Sequence, residues 1–408
     1  MLLDKDRGNE ASLTVGVFVD GLKPSEGGAA AFTSSLVEAI TGTRQKHKFV
    51  LFHKKMHGFS FEESIPFVDI EKDLSMGMIS RIRNKLSATE RAAPAIYAPL
   101  EEAIKKYAVD FMWFLSPTDK MVSIPSIYTV WDLQHRVNPM FPEVSVTGWG
   151  WDERERTYSL TLPRATRIFT GTKWGKKEIV HFYRINPDLV DVIPLPVPVL
   201  TLKDTIPNES DVIIRYNLKD DYLFYPAQFW PHKNHANIVL ALDVLRNKYS
   251  LQVDMVFVGS DKGNENYIKE LVRQLDLEEH CHFLGYVPHE ELTQLFRNAY
   301  ALLYATFVGP DSLPPLEAFA LGCPVIASRI SGTEEQLGNA ALYFDPKSPE
   351  EMASAIKKLY DDRELREELI RRGRDQIHGR SPREYVGRVN DILDDLAQVR
   401  RCWDDRYQ

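Results

Sequence analysis

Short apolar, β-prone runs alternate with segments of helical periodicity along most of this chain. In the first half the runs fall at residues 13–19, 49–52, 111–115, 127–130 and 167–169, and segments such as 30–40 and 99–106 between them have helical spacing. The second half repeats the alternation. Runs at 222–226, 253–259, 280–285, 301–304 and 324–327 are separated by helical segments at 237–248, 265–275 and 290–297, with a further helix starting near Leu313. Such alternation predicts an α/β chain with parallel, doubly wound sheets whose ligand sites lie at the strands' carboxyl ends.

Between the halves, Pro194, Pro196 and Pro198 fall at every second position. That run cannot be helical and would sit poorly in a central strand, so it reads as an extended linker. The expected organisation is a first domain over residues 1–195, a second over 196–380 and a final segment over 381–408. In that segment Tyr385, Val386, Val389, Ile392, Leu393 and Leu396 give residues 382–399 one apolar face.

Composition narrows the classes. At 408 residues the chain is too long for one comfortable core, which agrees with two domains. A net charge of −8 argues against a chain-wide nucleic-acid role. Cys281, Cys323 and Cys402 are far apart, show no metal-ligand spacing and suit a reducing cytosol better than a disulfide scaffold. No run approaches the roughly 18 apolar residues of a membrane span, and the polar start lacks the apolar core of a secretory signal. A cytoplasmic location is expected.

The densest chemical signal lies in residues 303–328. Apolar residues lead into Gly309, Pro310, Asp311 and Ser312, and a helix follows from Leu313. Ser312 is placed to cap that helix, Pro314 and Pro315 are tolerated only in its first turn, and Gly322 suits its exit. Amides at such a helix start attract anions, so the geometry suits a phosphate. Glu317, one turn further in, is placed to accept hydrogen bonds from ribose or sugar hydroxyls. Taken alone, the segment equally fits an ordinary strand–loop–helix connection.

The segment resembles the donor-site signature of the retaining glycosyltransferases of family 4, in which Glu-Gly-Phe-Gly-Leu-Pro-x-Leu-Glu precedes a small-residue helix and a Cys/Thr-Pro-Val strand. Leu313-Pro-Pro-Leu-Glu317 and Gly322-Cys-Pro-Val325 match it. Gly309 stands where the family has its first Glu, and Pro310-Asp-Ser312 where it has Gly-Phe-Gly. Other positions match in register. Gly27 and Gly28 follow the first strand, where the family's loop flanks sugar and diphosphate. Lys233 takes the Lys of the family's Arg-x-x-x-x-Lys, with Gln228 in place of the Arg. Gly259 and Val287 close the second and third strands of the second domain, where the family meets the nucleotide. Thr129-Val-Trp-Asp-Leu-Gln-His135 resembles the family's His-Asp-Leu-x-His segment, with Trp131 replacing the first His and Asp132 and His135 retained.

The resemblance implies the GT-B fold: two Rossmann-like domains facing a cleft, acceptor in the first, nucleotide-sugar in the second, and a last helix crossing back. It implies a retaining, metal-independent hexosyltransferase with a nucleoside-diphosphate sugar as substrate and no further cofactor. Catalytic candidates are then Lys233, Asp132 and His135. Donor-binding candidates are Gly27, Gly28, Gln228, Gly259, Val287, Gly309, Asp311, Ser312, Leu313 and Glu317. The expected acceptor is a glycan or lipid-linked glycan of bacterial surface polysaccharide assembly. The basic stretch 81–91 is a candidate contact with the inner membrane face, beside the plainer reading of a solvated helix face. The donor base stays open among guanosine, uridine and thymidine. A sugar-nucleotide epimerase of the same fold and a non-catalytic nucleotide-sugar or glycan-binding protein are the alternatives.

Overall fold

The structure, a computed structural model, describes residues 12–22, 27–56, 64–70, 96–145, 149–198, 201, 211–219 and 221–402. The basic stretch 81–91 lies outside them. The first domain contributes β1 (Thr14–Leu22), β2 (Lys48–Met56), β3 (Phe67–Asp69), β4 (Phe111–Phe114), β5 (Ser126–Thr129), β6 (Arg167–Thr170) and β7 (Val190–Val192). They form one parallel sheet in the order β3-β2-β1-β4-β5-β6-β7. In the second domain β8 (Leu223–Pro226), β9 (Met255–Val258), β10 (Cys281–Phe283), β11 (Ala301–Tyr304), β12 (Val325–Ser328) and β13 (Ala341–Phe344) form a second parallel sheet, ordered β10-β9-β8-β11-β12-β13.

Central strands such as β4, β9, β11 and β12 are buried along their whole length, as sheets covered by helices on both faces require. Strand order reverses at β1/β4 in one sheet and at β8/β11 in the other. Loops leaving these strands splay apart there and open a crevice at the carboxyl ends. The two crevices face each other.

The linker passes from one core to the other within five residues. Ile193 packs in the first domain's core, while Val197 packs in the second's and donates its N–H to Arg380 O at 2.8 Å. The final helix, Pro382–Arg400, opens with a capping box between Ser381 and Glu384 and returns to the first domain. Its Tyr385, Val386, Val389, Leu393 and Ala397 are buried with Leu36, Val37 and Ile40 of the helix Gly28–Thr41. Tyr385 meets Phe32 edge-on at 5.7 Å. At roughly 1.5–3 kcal/mol per fully buried large apolar side chain, this face dominates the docking. The exposed Lys46–Asp394 pair at 2.9 Å adds about 0–1 kcal/mol. Among the described residues no helix is long and apolar enough to cross a membrane.

Candidate active site in the interdomain cleft

Where the crevices meet, a cleft of about 1150 Å³ runs between the domains. Asp132, Gln134, Phe141, Trp174 and Glu178 line one side, and Phe307, Gly309, Pro310, Arg329 and Lys347 the other.

Two helix starts approach each other across the domain boundary. Gly27, at φ 66°, turns the chain into the helix Gly28–Thr41. A Cβ on Gly28 would lie 3.5 Å from Leu313, the first residue of the helix Leu313–Ala320. Gly27, Gly28 and Leu313 are thus brought together from opposite domains. The expected cap by Ser312 is corrected. Ser312 occupies the N-cap position, but its hydroxyl lies 2.6 Å from the Tyr304 hydroxyl and caps no amide. Its own N–H donates to Gln336 Oε1 at 3.1 Å. Pro314 and Pro315 have no N–H, so among the described residues the leading turn offers an anion one uncommitted amide, that of Leu313.

Lys233 ends a short turn, Pro231–Lys233, that follows β8. The Tyr225 hydroxyl donates to Lys233 O at 2.9 Å, and Asn234, in the left-handed region at φ 64°, ties the turn to Ala305 O and Pro346 O at 2.9 and 2.8 Å. Lys233 is half-buried, its ammonium 6.0 Å from the Tyr304 ring centre and with no ion pair among the described residues. A positive charge held in this way suits an anionic ligand. Gly259, at the end of β9, donates to Gly285 O at 2.8 Å, and a Cβ on it would fall 2.4 Å from Ala227 O. That close approach sets the loops bearing Gln228, Gly259 and Val287 side by side. Gln228 accepts from Trp230 Nε1 at 3.1 Å, and Val287 is buried. Glu317 is 8% exposed and lies 3.4 Å from Thr201 Oγ1.

On the first-domain side, Asp132 borders both the cleft and a smaller pocket of about 320 Å³ lined by Trp131, Trp149 and Arg154. Its Oδ1 accepts from Gln134 N at 2.9 Å and pairs with Arg154 at 3.0 Å, while Oδ2 is uncommitted among the described residues. His135 goes elsewhere. It is 0% exposed, stacks on Tyr158, and places Nε2 3.3 and 3.2 Å from Glu155 and the Tyr183 hydroxyl. Burial lowers its pKa. The expected cleft position of His135 is therefore corrected: the ring braces the base of the 132–137 turn.

The Gly309-to-Ser312 loop differs from expectation in the same way. Gly309 lines the cleft at φ 124°, a conformation in which a glutamate would be strained. Asp311 turns away from the cleft and packs against Gly171 of the first domain, where a Cβ would collide with its Oδ2. Gln336 donates to its Oδ1 and sits beside Arg380. Asp311, expected among the donor-binding residues, is instead a tie between domains, and that expectation is corrected. Other ties were invisible in the sequence: Glu335 accepts the N–H groups of Lys173 and Trp174 at 2.6 and 3.1 Å, and Glu143 bonds His232. No local motif marks such pairs. Only the fold brings them together.

Burial leaves a pH signature. Glu178, Asp311 and Glu317 are each pushed up to about 7 by burial. Unfolded, they ionise near 4, so across that window the folded chain holds more protons and stability falls as pH rises. His232 and His235 act oppositely: burial lowers them to about 4 and about 3, so their contribution rises with pH until about 6.5, where the unfolded rings have lost their protons. Above that only the carboxyl effect remains. The melting temperature should therefore decline between about pH 6.5 and 8, and Glu317→Gln should flatten the decline. A wild-type melting temperature still rising over that interval would refute the reading.

Residues 208–376 match the family described as glycosyl transferases group 1. The chain is similar to the O-antigen chain mannosyltransferase B of Escherichia coli, 25% identical over 85% of this chain and 90% of that one. It is also similar to the O-antigen chain mannosyltransferase RfbU of Salmonella typhimurium, 29% identical over 49% of this chain and 52% of that one. Among solved structures, Anabaena Alr3699/HepE in complex with UDP-glucose has a TM-score of 0.70 at 16% identity, over 94% of this chain and 100% of that one. That is a likeness of fold.

Proposed function

We propose, from the match of residues 208–376 to the family described as glycosyl transferases group 1, that this chain moves a hexose from a nucleoside-diphosphate sugar to a glycan hydroxyl in bacterial surface polysaccharide assembly. The observation that carries the reading is the half-buried Lys233, without an ion pair among the described residues, at the carboxyl end of β8 in the domain that matches the family. The diphosphate lies against Lys233 and the Leu313 amide, with Gly27 and Gly28 permitting close approach from the other domain. The nucleotide spans the loops of Gln228, Gly259 and Val287, with Glu317 toward the ribose. Asp132 receives the acceptor hydroxyl through its free oxygen. As the bond from anomeric carbon to phosphate oxygen breaks, Lys233 stabilises the charge that develops on the leaving diphosphate, without a divalent ion. The acceptor attacks from the same face, its proton passing to the departing phosphate, and configuration is retained. A lipid-linked acceptor would bring the chain to the inner membrane face.

Two measurements test this. Thermal shifts with UDP, GDP and dTDP identify the base, since a nucleotide at about 100 times its dissociation constant stabilises by about 2.7 kcal/mol. The corresponding nucleotide-sugars should then release nucleoside diphosphate only when a glycan acceptor is added. An epimerised donor without acceptor, or binding with no turnover over a broad acceptor panel, would sink the proposal. If Glu317 holds the ribose diol, nucleotide affinity should fall in the order wild type, Glu317→Gln, Glu317→Ala, and a 2′-deoxyribose nucleotide should be affected less. Equal losses with both nucleotides would remove that contact.

A further inference from the structure

The turn that carries Lys233 is held from the other domain. Glu143 lies on the short helix Pro142–Ser145 of the first domain. Its Oε1 accepts from the His232 backbone N–H at 3.1 Å and also bonds His232 Nδ1. Since the backbone N–H and the ring nitrogen share one carboxylate oxygen, the ring is fixed as the tautomer with hydrogen on Nδ1. Beside the contact, Phe141 packs on Phe307 at 5.8 Å and on His232 at 6.2 Å. Glu143 is 6% exposed, and its Oε2 is buried with no partner among the described residues.

A carboxylate buried this deeply costs several kcal/mol unless its partners compensate. Burial pushes the Glu143 carboxyl up, but the hydrogen bonds from His232 outweigh it and hold it below the usual carboxylate range. Burial, with Lys233 next to it, lowers His232 to about 4. Around neutral pH the contact is therefore an ionised carboxylate facing a neutral imidazole. Its strength depends on both domains being docked, because Glu143 belongs to the first domain and His232 to the second. His232 immediately precedes Lys233, and His232 O accepts from Phe307 N at 2.8 Å and from Thr306 Oγ1 at 3.2 Å, in the loop that continues to Gly309.

We propose that Glu143 is a positioning residue for Lys233: its carboxylate fixes His232, and through it the turn bearing Lys233, so that the diphosphate site is complete only when the two domains are docked. The inference rests on the reading of Lys233 as the diphosphate's partner. Glu143 itself touches neither donor nor acceptor.

The test is calorimetric titration of whichever of UDP, GDP or dTDP binds most tightly into the full chain and its variants, each first checked for folding by circular dichroism. Glu143→Ala should weaken binding roughly tenfold, as expected when a hydrogen bond to a charged group is lost. Glu143→Gln should stay near wild type, because its amide oxygen still accepts both His232 protons. In a Lys233→Ala background, Glu143→Ala should add less than about a twofold loss, because the group it positions is gone. Should Glu143→Ala fail to fold, His232→Leu removes the same side-chain contact from the other domain and should show a loss in the same direction. The proposal is overturned if Glu143→Ala binds as wild type, or if its loss is undiminished when Lys233 is already absent. Wild-type binding by Lys233→Ala alone would instead remove the underlying reading of Lys233, and the latch with it.

Discussion

Alanine at position 233 should lower turnover by roughly 2–4 kcal/mol, about 30- to 1,000-fold in rate, and lower nucleotide affinity by a smaller factor, about tenfold. The expectation is large because the helix start beside Lys233 is poor in donors. Ser312 N–H is committed to Gln336, and the prolines at 314 and 315 have none, which leaves the Leu313 amide. On the proposed reading, the charge developing on a leaving diphosphate is then met mainly by the ammonium, which has no competing carboxylate among the described residues. Lys233→Arg should recover part of the rate, since a guanidinium keeps the charge but not the compact reach of Nζ. Single-turnover and steady-state rates with saturating donor would separate chemistry from binding. Wild-type turnover in the alanine variant would take Lys233 out of the reaction.

Gly332→Ala should cost about 2–4 kcal/mol of stability. Gly332 sits at φ 86°, where a residue with a Cβ pays about 1–2 kcal/mol. Beyond that, the added carbon would fall 2.2 Å from Pro310 O, and backbone cannot swing aside as a side-chain tip does. Either the 330–333 turn or the Gly309–Pro310 loop must move, and both line the cleft. For a domain of this size the shift in melting temperature should be roughly 5–15 °C. Activity of the fraction still folded should fall as well. Scanning calorimetry with an activity assay below the transition checks both, and an unshifted transition would show that the turn relaxes freely.

Much of the fold was legible in the sequence because its strong elements are long or fully buried. The runs at 111–115, 127–130 and 301–304 became β4, β5 and β11 almost residue for residue. The elements missed were short edge strands, such as Phe67–Asp69 and Ala341–Phe344, with too few positions to show a period, and polar helices, such as Trp151–Thr161, whose apolar stripe is narrow. In the site, glycines and the Lys233 turn were readable because their backbone demands are local. His135 and Asp311 were misplaced for the opposite reason. Whether a polar side chain faces a cleft or a buried partner depends on what arrives from far along the chain: Glu155 and Tyr183 for the one, Gly171 for the other. Arg154, which pairs with Asp132, was visible only as one arginine among several.

The returning helix also sets an order of events during synthesis. Gln45 waits for Asn390 and Lys46 for Asp394, partners 345 and 348 residues downstream. At about 5–20 residues per second, the ribosome takes roughly 20–70 s to supply them. Until then the apolar face of Leu36, Val37 and Ile40 has no cover from its own chain, although the sheet beneath it can already have formed. The nascent first domain is thus a natural client for a chaperone that shields apolar surface. A substitution on the buried face of the helix Pro382–Arg400 should show itself as low yield before it shows itself as low activity.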